Sequence, residues 1–324
     1  MKSICVIGAG EAGINFIKEI RKLNRDIPLK LIDERDRYFR RKDVFNYWAS
    51  LSKLDVLPLA DFCGEYSVEF VQAKVERINP NTKRVFLKDK PSFEFDILVI
   101  ASGFKSKDLS IKGDFREGFW YLSDIEPVKV KDYLSISSDI VVYVSTLLGI
   151  KLALLLSLLK KDIKVIANDL SFLRNYEESF KNLLKERNID IYFGVTIEEV
   201  IGESMVKAVR VSLPKVFSSQ LVFVDSGFIP NRDFFEEQVA PRDIFLSPYS
   251  NIYFLGGANS LDIEKECFFI NSTEETQRQS ISLAKMLILG VSSDYTPQRI
   301  PVFEEEKYLE ELLQQVTLSS EQPK

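Results

Sequence analysis

The chain has 324 residues, 45% hydrophobic and 28% charged, with 14 Gly and 12 Pro. That composition excludes a disordered or fibrous polypeptide and leaves room for one large domain or two ordinary ones. Lys and Arg number 43 against 48 Asp and Glu, a formal charge of -5, so there is no basic excess to neutralise a nucleic-acid backbone. Histidine is absent, which removes Ser-His-Asp and Cys-His nucleophile pairs, His-ligated metals and imidazole acid-base work.

The first ten residues hold Ser3–Ile7, an apolar run of strand length, and a glycine turn comes next: Gly8, Ala9, Gly10, Glu11, Ala12, Gly13. This start is unlike a cleavable signal. Ile14, Phe16, Ile17, Ile20 and Leu23 then recur at helical spacing, and Leu29–Ile32 is a second strand ending in Asp33. Residues 35–42 carry Arg35, Arg37, Arg40, Arg41 and Lys42, read as a solvated loop, and 44–59 as irregular or helical. Strands are expected at 68–71, 85–87 and 95–100, the last running into Ala101-Ser102-Gly103.

The middle third repeats the opening in weaker form: strand 139–144, helix 149–159, strand 163–167. Its most apolar stretch, 147–159, contains Lys151 and is shorter than the about 20 apolar residues a bilayer needs, so it reads as a buried helix. Further strands are expected at 189–193, 206–211, 221–224 and 251–255, the last meeting Gly256-Gly257. Ser272 to Glu275 form a capping box that opens a helix to about Leu289. An acidic helical segment, 304–316, precedes a polar end. Cys5, Cys63 and Cys267 lie far apart, in no dithiol or metal spacing. Cys5 and Cys63 read as core thiols, and a reducing cytosol fits this usage. Phe93, Phe95, Phe115, Phe119 and Trp120 read as packing residues.

Each glycine of the first turn has a mechanical role if a dinucleotide binds. Gly8 makes the tight turn, Gly10 admits the diphosphate to the backbone, and Gly13 lets helix and strand approach. The diphosphate then meets the positive helix end. Asp33 is placed to accept from a ribose hydroxyl and to repel a 2'-phosphate, which leaves FAD or NAD as the ligand.

The later segments bring a family into view. They are Val75 to Asn79 with Lys83 to Leu87, Phe95 to Gly103, Asp225 to Asn231 and Ile252 to Gly257. With the first motif, in this order over about residues 1–290, the chain resembles the pyridine nucleotide-disulfide oxidoreductase superfamily. Within it the chain is most similar to the branch of type II NADH:quinone and sulfide:quinone oxidoreductases and apoptosis-inducing factor. The resemblance implies an α/β fold of two Rossmann-like three-layer modules, the second inserted in the first. Residues 1–105 and 245–295 would form the FAD-binding domain, 106–244 an NAD(P)-binding-like domain and 296–324 a C-terminal helix and tail. It implies FAD held by Gly8, Gly10, Glu11, Ala12, Gly13 and Asp33, with Val75 at the adenine by its backbone. Ala101, Ser102 and Gly103 would lie against the dinucleotide, and Gly256 and Gly257 would meet the diphosphate and ribityl chain. The helix near Ser272 would aim its N-terminus at the flavin. A chain of this length is expected to lack the C-terminal dimerisation domain of longer members, and no pattern fixes an oligomeric state.

Three departures from the family pattern bear on chemistry beyond FAD binding itself. The second module reads Val144-Ser145-Thr146-Leu147-Leu148-Gly149, with one glycine of three, which argues against NAD(P)H in the usual pose. Gly257 stands where the family has Asp, losing a contact of about 1.5–3 kcal/mol. Arg40 to Asp43 stand where a redox cysteine pair would be, which excludes disulfide reductase chemistry of the usual kind. The leading expectation is a cytoplasmic FAD-dependent oxidoreductase passing electrons through flavin N5 between a small-molecule donor and an acceptor such as a quinone. The alternative is a noncatalytic binding or assembly module with a lost NAD(P)H site. An NAD-only dehydrogenase is the weakest reading, and no residue is assigned a catalytic role or a metal.

Overall fold

The computed structural model describes residues 2–237, 239–242, 245–259, 262–263, 266–267, 273–293 and 295–296; side chains at 42, 174–176, 262–263 and 266–267 are outside the description. Ser272 of the capping box, the segment 304–316 and the side chain of Cys267 therefore lie outside the described residues. The chain divides into two compact units. The first takes residues 1–40, 55–104 and 229–299, the second 41–54, 105–228 and 300–324.

In chain order the elements that build the two units are β1 (Ile4–Ile7), α1 (Glu11–Leu23), β2 (Leu29–Asp33), α2 (Arg41–Trp48), β3 (Glu69–Gln72), β4 (Val75–Asn79), β5 (Arg84–Leu87), β6 (Lys90–Glu94) and β7 (Ile97–Ile100). They continue with β8 (Phe119–Tyr121), α3 (Pro127–Ile136), β9 (Asp139–Tyr143), α4 (Leu147–Ser157), β10 (Asp162–Ala167), α5 (Glu177–Glu186) and β11 (Asp190–Phe193). Last come β12 (Ile197–Gly202), β13 (Val206–Val211), β14 (Val216–Ser218), β15 (Leu221–Val224), β16 (Ile252–Phe254) and α6 (Thr273–Leu289).

Among the described residues the first unit has a parallel sheet ordered β16-β7-β1-β2-β3 and an antiparallel sheet β4-β5-β6. Alternation along β1 assigns its two faces. Ile4 and Val6 join the core beneath α1 and α6, while Cys5 and Ile7 join the core shared with β4 and β5. The unit is thus three-layered, with helices, parallel sheet and antiparallel sheet in turn. Both faces of β1 are covered, which is why it reads as a continuous apolar run. Ile14, Phe16, Ile17 and Ile20 turn α1 into the core, each burial favourable by about 1.5–3 kcal/mol.

The second unit repeats this arrangement in its own parallel sheet, β8-β15-β9-β10-β11, with the antiparallel sheet β12-β13-β14. It differs in that the edge strand β8 precedes the other strands of its sheet in the chain, where β16 follows those of its own. The repeat extends to hydrogen bonds. Gly8 N donates to Ile32 O at 2.8 Å as Val144 N donates to Ile166 O at 2.8 Å, and Ala101 N to Ile7 O at 2.8 Å as Asp225 N to Tyr143 O at 2.9 Å. Gly8, Gly10, Gly13, Asp33 and Ala101 therefore correspond to Val144, Thr146, Gly149, Ala167 and Asp225. α4 is apolar apart from Lys151 and Ser157 and is largely buried, as expected, and no described helix is long and apolar enough to cross a membrane.

Compared with the expected domain bounds, residues 41–54 group with the second unit and 229–244 with the first. Packing explains the former. The indole Nε1 of fully buried Trp48 donates to Pro127 O at 2.9 Å and its ring lies 5.5 Å from Phe223. Lys131 Nζ then caps α2 by donating to the carbonyls of Tyr47 and Trp48, each at 2.8 Å. One packing expectation fails: Phe115 is 82% exposed, while Phe95 and Phe119 are buried.

Candidate functional site

The turn between β1 and α1 is built by close backbone approaches. Gly8 has φ +103°, and a Cβ there would lie 2.3 Å from Ala101 O; one on Gly13 would lie 2.0 Å from Gly8 O. No side chain fits either place, so the first turn of α1 rests directly on the strand ends. Gly10 differs. It is the extended N-cap residue of α1 (φ -75°, ψ -176°), and a Cβ on it would meet nothing within 4 Å. No side chain caps the helix, so the amides of its first turn carry the partial positive charge of the helix end without a side-chain cap, beside the space open at Gly10.

Asp33, 8% exposed at the end of β2, fixes one edge of this opening. Its Oδ2 accepts from Ala9 N at 2.6 Å, and its Oδ1 from Arg35 N at 2.9 Å and Arg35 Nε at 3.1 Å. The Arg35 guanidinium, expected in a solvated loop, instead pairs with Asp33 and partly balances the charge expected to repel a 2'-phosphate.

The other expected residues of this unit gather around the turn. Ser102 Oγ donates to Asn231 O at 2.6 Å and Asn231 N to Gly103 O at 3.0 Å, so the Ala101-Ser102-Gly103 turn is clamped by the chain after Pro230. Gly256, at φ +62°, approaches Ala12 so closely that a Cβ would sit 2.6 Å from the Ala12 methyl, and its N–H donates to Gln279 Oε1 at 2.8 Å. A Cβ at Gly257 would lie 2.6 Å from the Phe104 ring and 3.2 Å from Gly103 C. The ring thus stands where the family's Asp side chain would begin. Val75 packs against the core that includes Ile7 and Ile32, two residues after Ala73, whose N–H donates to Asp33 O at 2.9 Å. In α6, Glu275 is buried and bonds Tyr295 Oη and, at 2.7 Å, Arg278 Nη1. Its carboxylate is committed there.

The corresponding turn of the second unit is filled. Thr146 caps α4, its Oγ1 accepting from Leu148 N at 3.2 Å. Asp225, with no exposed surface, reaches under the same helix end. Its Oδ2 accepts from Thr146 N at 2.8 Å, Thr146 Oγ1 at 2.8 Å and Gly149 N at 3.0 Å. Burial pushes the Asp225 carboxyl up, against these hydrogen bonds, which pull it down. The clue was in the sequence: residues 101–104 read Ala-Ser-Gly-Phe and residues 225–228 Asp-Ser-Gly-Phe, one change in four.

The described residues offer no reactive nucleophile at either turn. Cys5 and Cys63 are buried, which raises their thiols to about 12 and about 11. No group of His, Cys, Asp and Glu among the described residues is arranged to hold a metal ion.

Two parallel sheets, each with a turn leading from a central strand into a helix, define a protein of two Rossmann-like modules. The model of the pyridine nucleotide-disulphide oxidoreductase family matches residues 2–243, and the chain belongs to that family. It is similar at 33% identity over 106 residues to a sulfide-quinone reductase of Aquifex aeolicus, 32% of this chain and 24% of that relative. It is similar at 34% over 116 residues to a type II NADH:quinone oxidoreductase of Staphylococcus saprophyticus, 35% of this chain and 29% of that relative. The aligned parts thus span under a third of these curated relatives. Among solved structures, a NAD-dependent persulfide reductase from A. fulgidus matches 90% of this chain and 60% of its own with TM-score 0.79 and 18% identity. The sulfide:quinone oxidoreductase from Aquifex aeolicus matches 90% and 77% with TM-score 0.68 and 19% identity. At these identities the structures establish the shared fold.

Proposed function

We propose that the first unit holds FAD at the β1–α1 turn and that the chain is an FAD-dependent oxidoreductase whose electron acceptor is a quinone. The observation that carries this reading is the uncapped end of α1 beside Gly10, with Asp33 fixed at its edge. The amides of Glu11, Ala12 and Gly13 would hold the diphosphate. The Asp33 carboxylate, whose oxygens take Ala9 N and three Arg35 donors, would accept from a ribose hydroxyl as Arg35 yields one of them. The Ala101–Gly103 turn and the backbone of Gly256 and Gly257 would line the dinucleotide, with the Val75 backbone at the adenine. Bound there, the isoalloxazine ring supplies two-electron chemistry through N5.

The relatives named for quinone support the acceptor. A quinone becomes a quinol by taking two electrons and two protons, and in a chain without histidine those protons come from carboxyl, Lys or Tyr groups or from solvent. The donor is a two-electron small molecule, for which NAD(P)H is one precedent among the relatives. The filled turn of the second unit favours one other reading, a noncatalytic module that retains the fold. Anaerobic photoreduction of the bound flavin separates the two, because it bypasses the donor. A soluble quinone restores the oxidised spectrum within seconds in an oxidoreductase, and a flavin that stays reduced rejects the quinone.

A further inference from the structure

We infer that Asp225 is a built-in substitute for a ligand phosphate, which closes the second unit to dinucleotides. The internal duplication supplies the comparison. In the first unit the position after the fourth strand of the repeat is Ala101, whose methyl leaves the end of α1 open, and the acid stands on the second strand as Asp33. In the second unit these residues are exchanged. The second strand ends in Ala167, buried and unable to hold a ribose hydroxyl, and the acid stands at 225 beneath the helix end. Both anchors of a dinucleotide are altered, by independent residues.

The Asp225 oxygen takes the Gly149 amide, the counterpart of Gly13, together with the Thr146 amide and hydroxyl. Thr146 Oγ1 takes the Leu148 amide, the counterpart of Ala12, so two of the three donors assigned to a diphosphate in the first unit are already satisfied. The one glycine retained in this turn is explained by the same contact. A Cβ on Gly149 would lie 2.8 Å from Asp225 Oδ2 and 3.0 Å from Asp225 Cβ, so Gly149 makes room for the carboxyl group. In either protonation state the side chain fills the space, and when ionised it also repels a second anion. Asp225 is therefore a specificity-determining residue. If the proposed flavin chemistry is correct, on which only this consequence rests, the electron donor is a molecule that places no diphosphate at α4.

The test uses the full chain with FAD supplied, inorganic pyrophosphate and ADP-ribose as probes, thermal melting at matched ionic strength, and calorimetric titration. In the parent protein pyrophosphate leaves the melting temperature unchanged. Asp225→Ala melts lower, regains most of the loss with millimolar pyrophosphate, and binds ADP-ribose at least about tenfold more tightly than the parent. Asp225→Ser, which keeps a small acceptor for Thr146, gives the same response should the alanine variant fail to fold. Parent protein that binds ADP-ribose as tightly as the variants overturns the inference. So do variants that respond to neither probe, since the vacated place would then take no anion. Flavin content is read by absorbance in the same samples, so failure of the FAD reading is scored separately from failure at Asp225.

Discussion

Replacing Gly10 by alanine separates ligand binding from folding. An added methyl meets no atom of the chain within 4 Å, and the extended backbone at this position suits any residue. Alanine at an N-cap is less favourable than glycine, so a loss of about 0.5 kcal/mol in the ligand-free protein is expected. The methyl would instead stand in the opening beside the first-turn amides, where a diphosphate must come to backbone distance. Losing one charge-assisted hydrogen bond of about 1.5–3 kcal/mol weakens FAD binding by about 10- to 140-fold. The assay is a fluorescence titration of ligand-free protein with FAD, paired with a melt of the same sample. Unchanged FAD affinity in a folded Gly10→Ala protein would refute the placement of the diphosphate at this turn.

Gly13→Ala acts on folding, because the new methyl is pressed onto Gly8 O. Overpacking of this kind costs about 1–3 kcal/mol, read as a lower urea midpoint with or without FAD, and parental stability contradicts the close approach. Asp33→Asn removes the charged acceptor of Ala9 N and the partner of Arg35. It should lower FAD affinity by about tenfold and stability by about 1–2 kcal/mol, measured by the same titration and melt. Cys5, raised to about 12 by burial, carries a thiolate fraction of about one in ten thousand at pH 8 and should resist iodoacetamide in the folded protein; rapid labelling by mass spectrometry contradicts its burial. Because its folded value exceeds the unfolded one, this thiol's contribution to stability is complete below about pH 9 and is lost as pH rises toward 12.

The first module was legible because its signals are local. A buried parallel strand is an apolar run, a turn without room for Cβ atoms requires glycine, and the acid ends the next strand. Weaker patterns explain the elements missed: α3 and α5 lie outside any glycine motif, the three-residue strands β8 and β14 are too short to carry a period, and β6 and β12 carry charged residues among their apolar ones. The placement of α2 was not readable, since Trp48 chooses its neighbours through residues some eighty positions away. Asp225 was in plain sight within a segment that resembles the family's motif. Its role emerged only when the strand order set it beside Thr146, a long-range relation that spacing along the chain does not encode.

Occupancy of the first unit by FAD is the central claim, and release of the ligand tests it most directly. The protein produced with FAD available, denatured by heat and clarified, should release about one equivalent of FAD per chain, with flavin bands in the visible spectrum. A colourless protein that also takes up no FAD after prolonged incubation with an excess would contradict it.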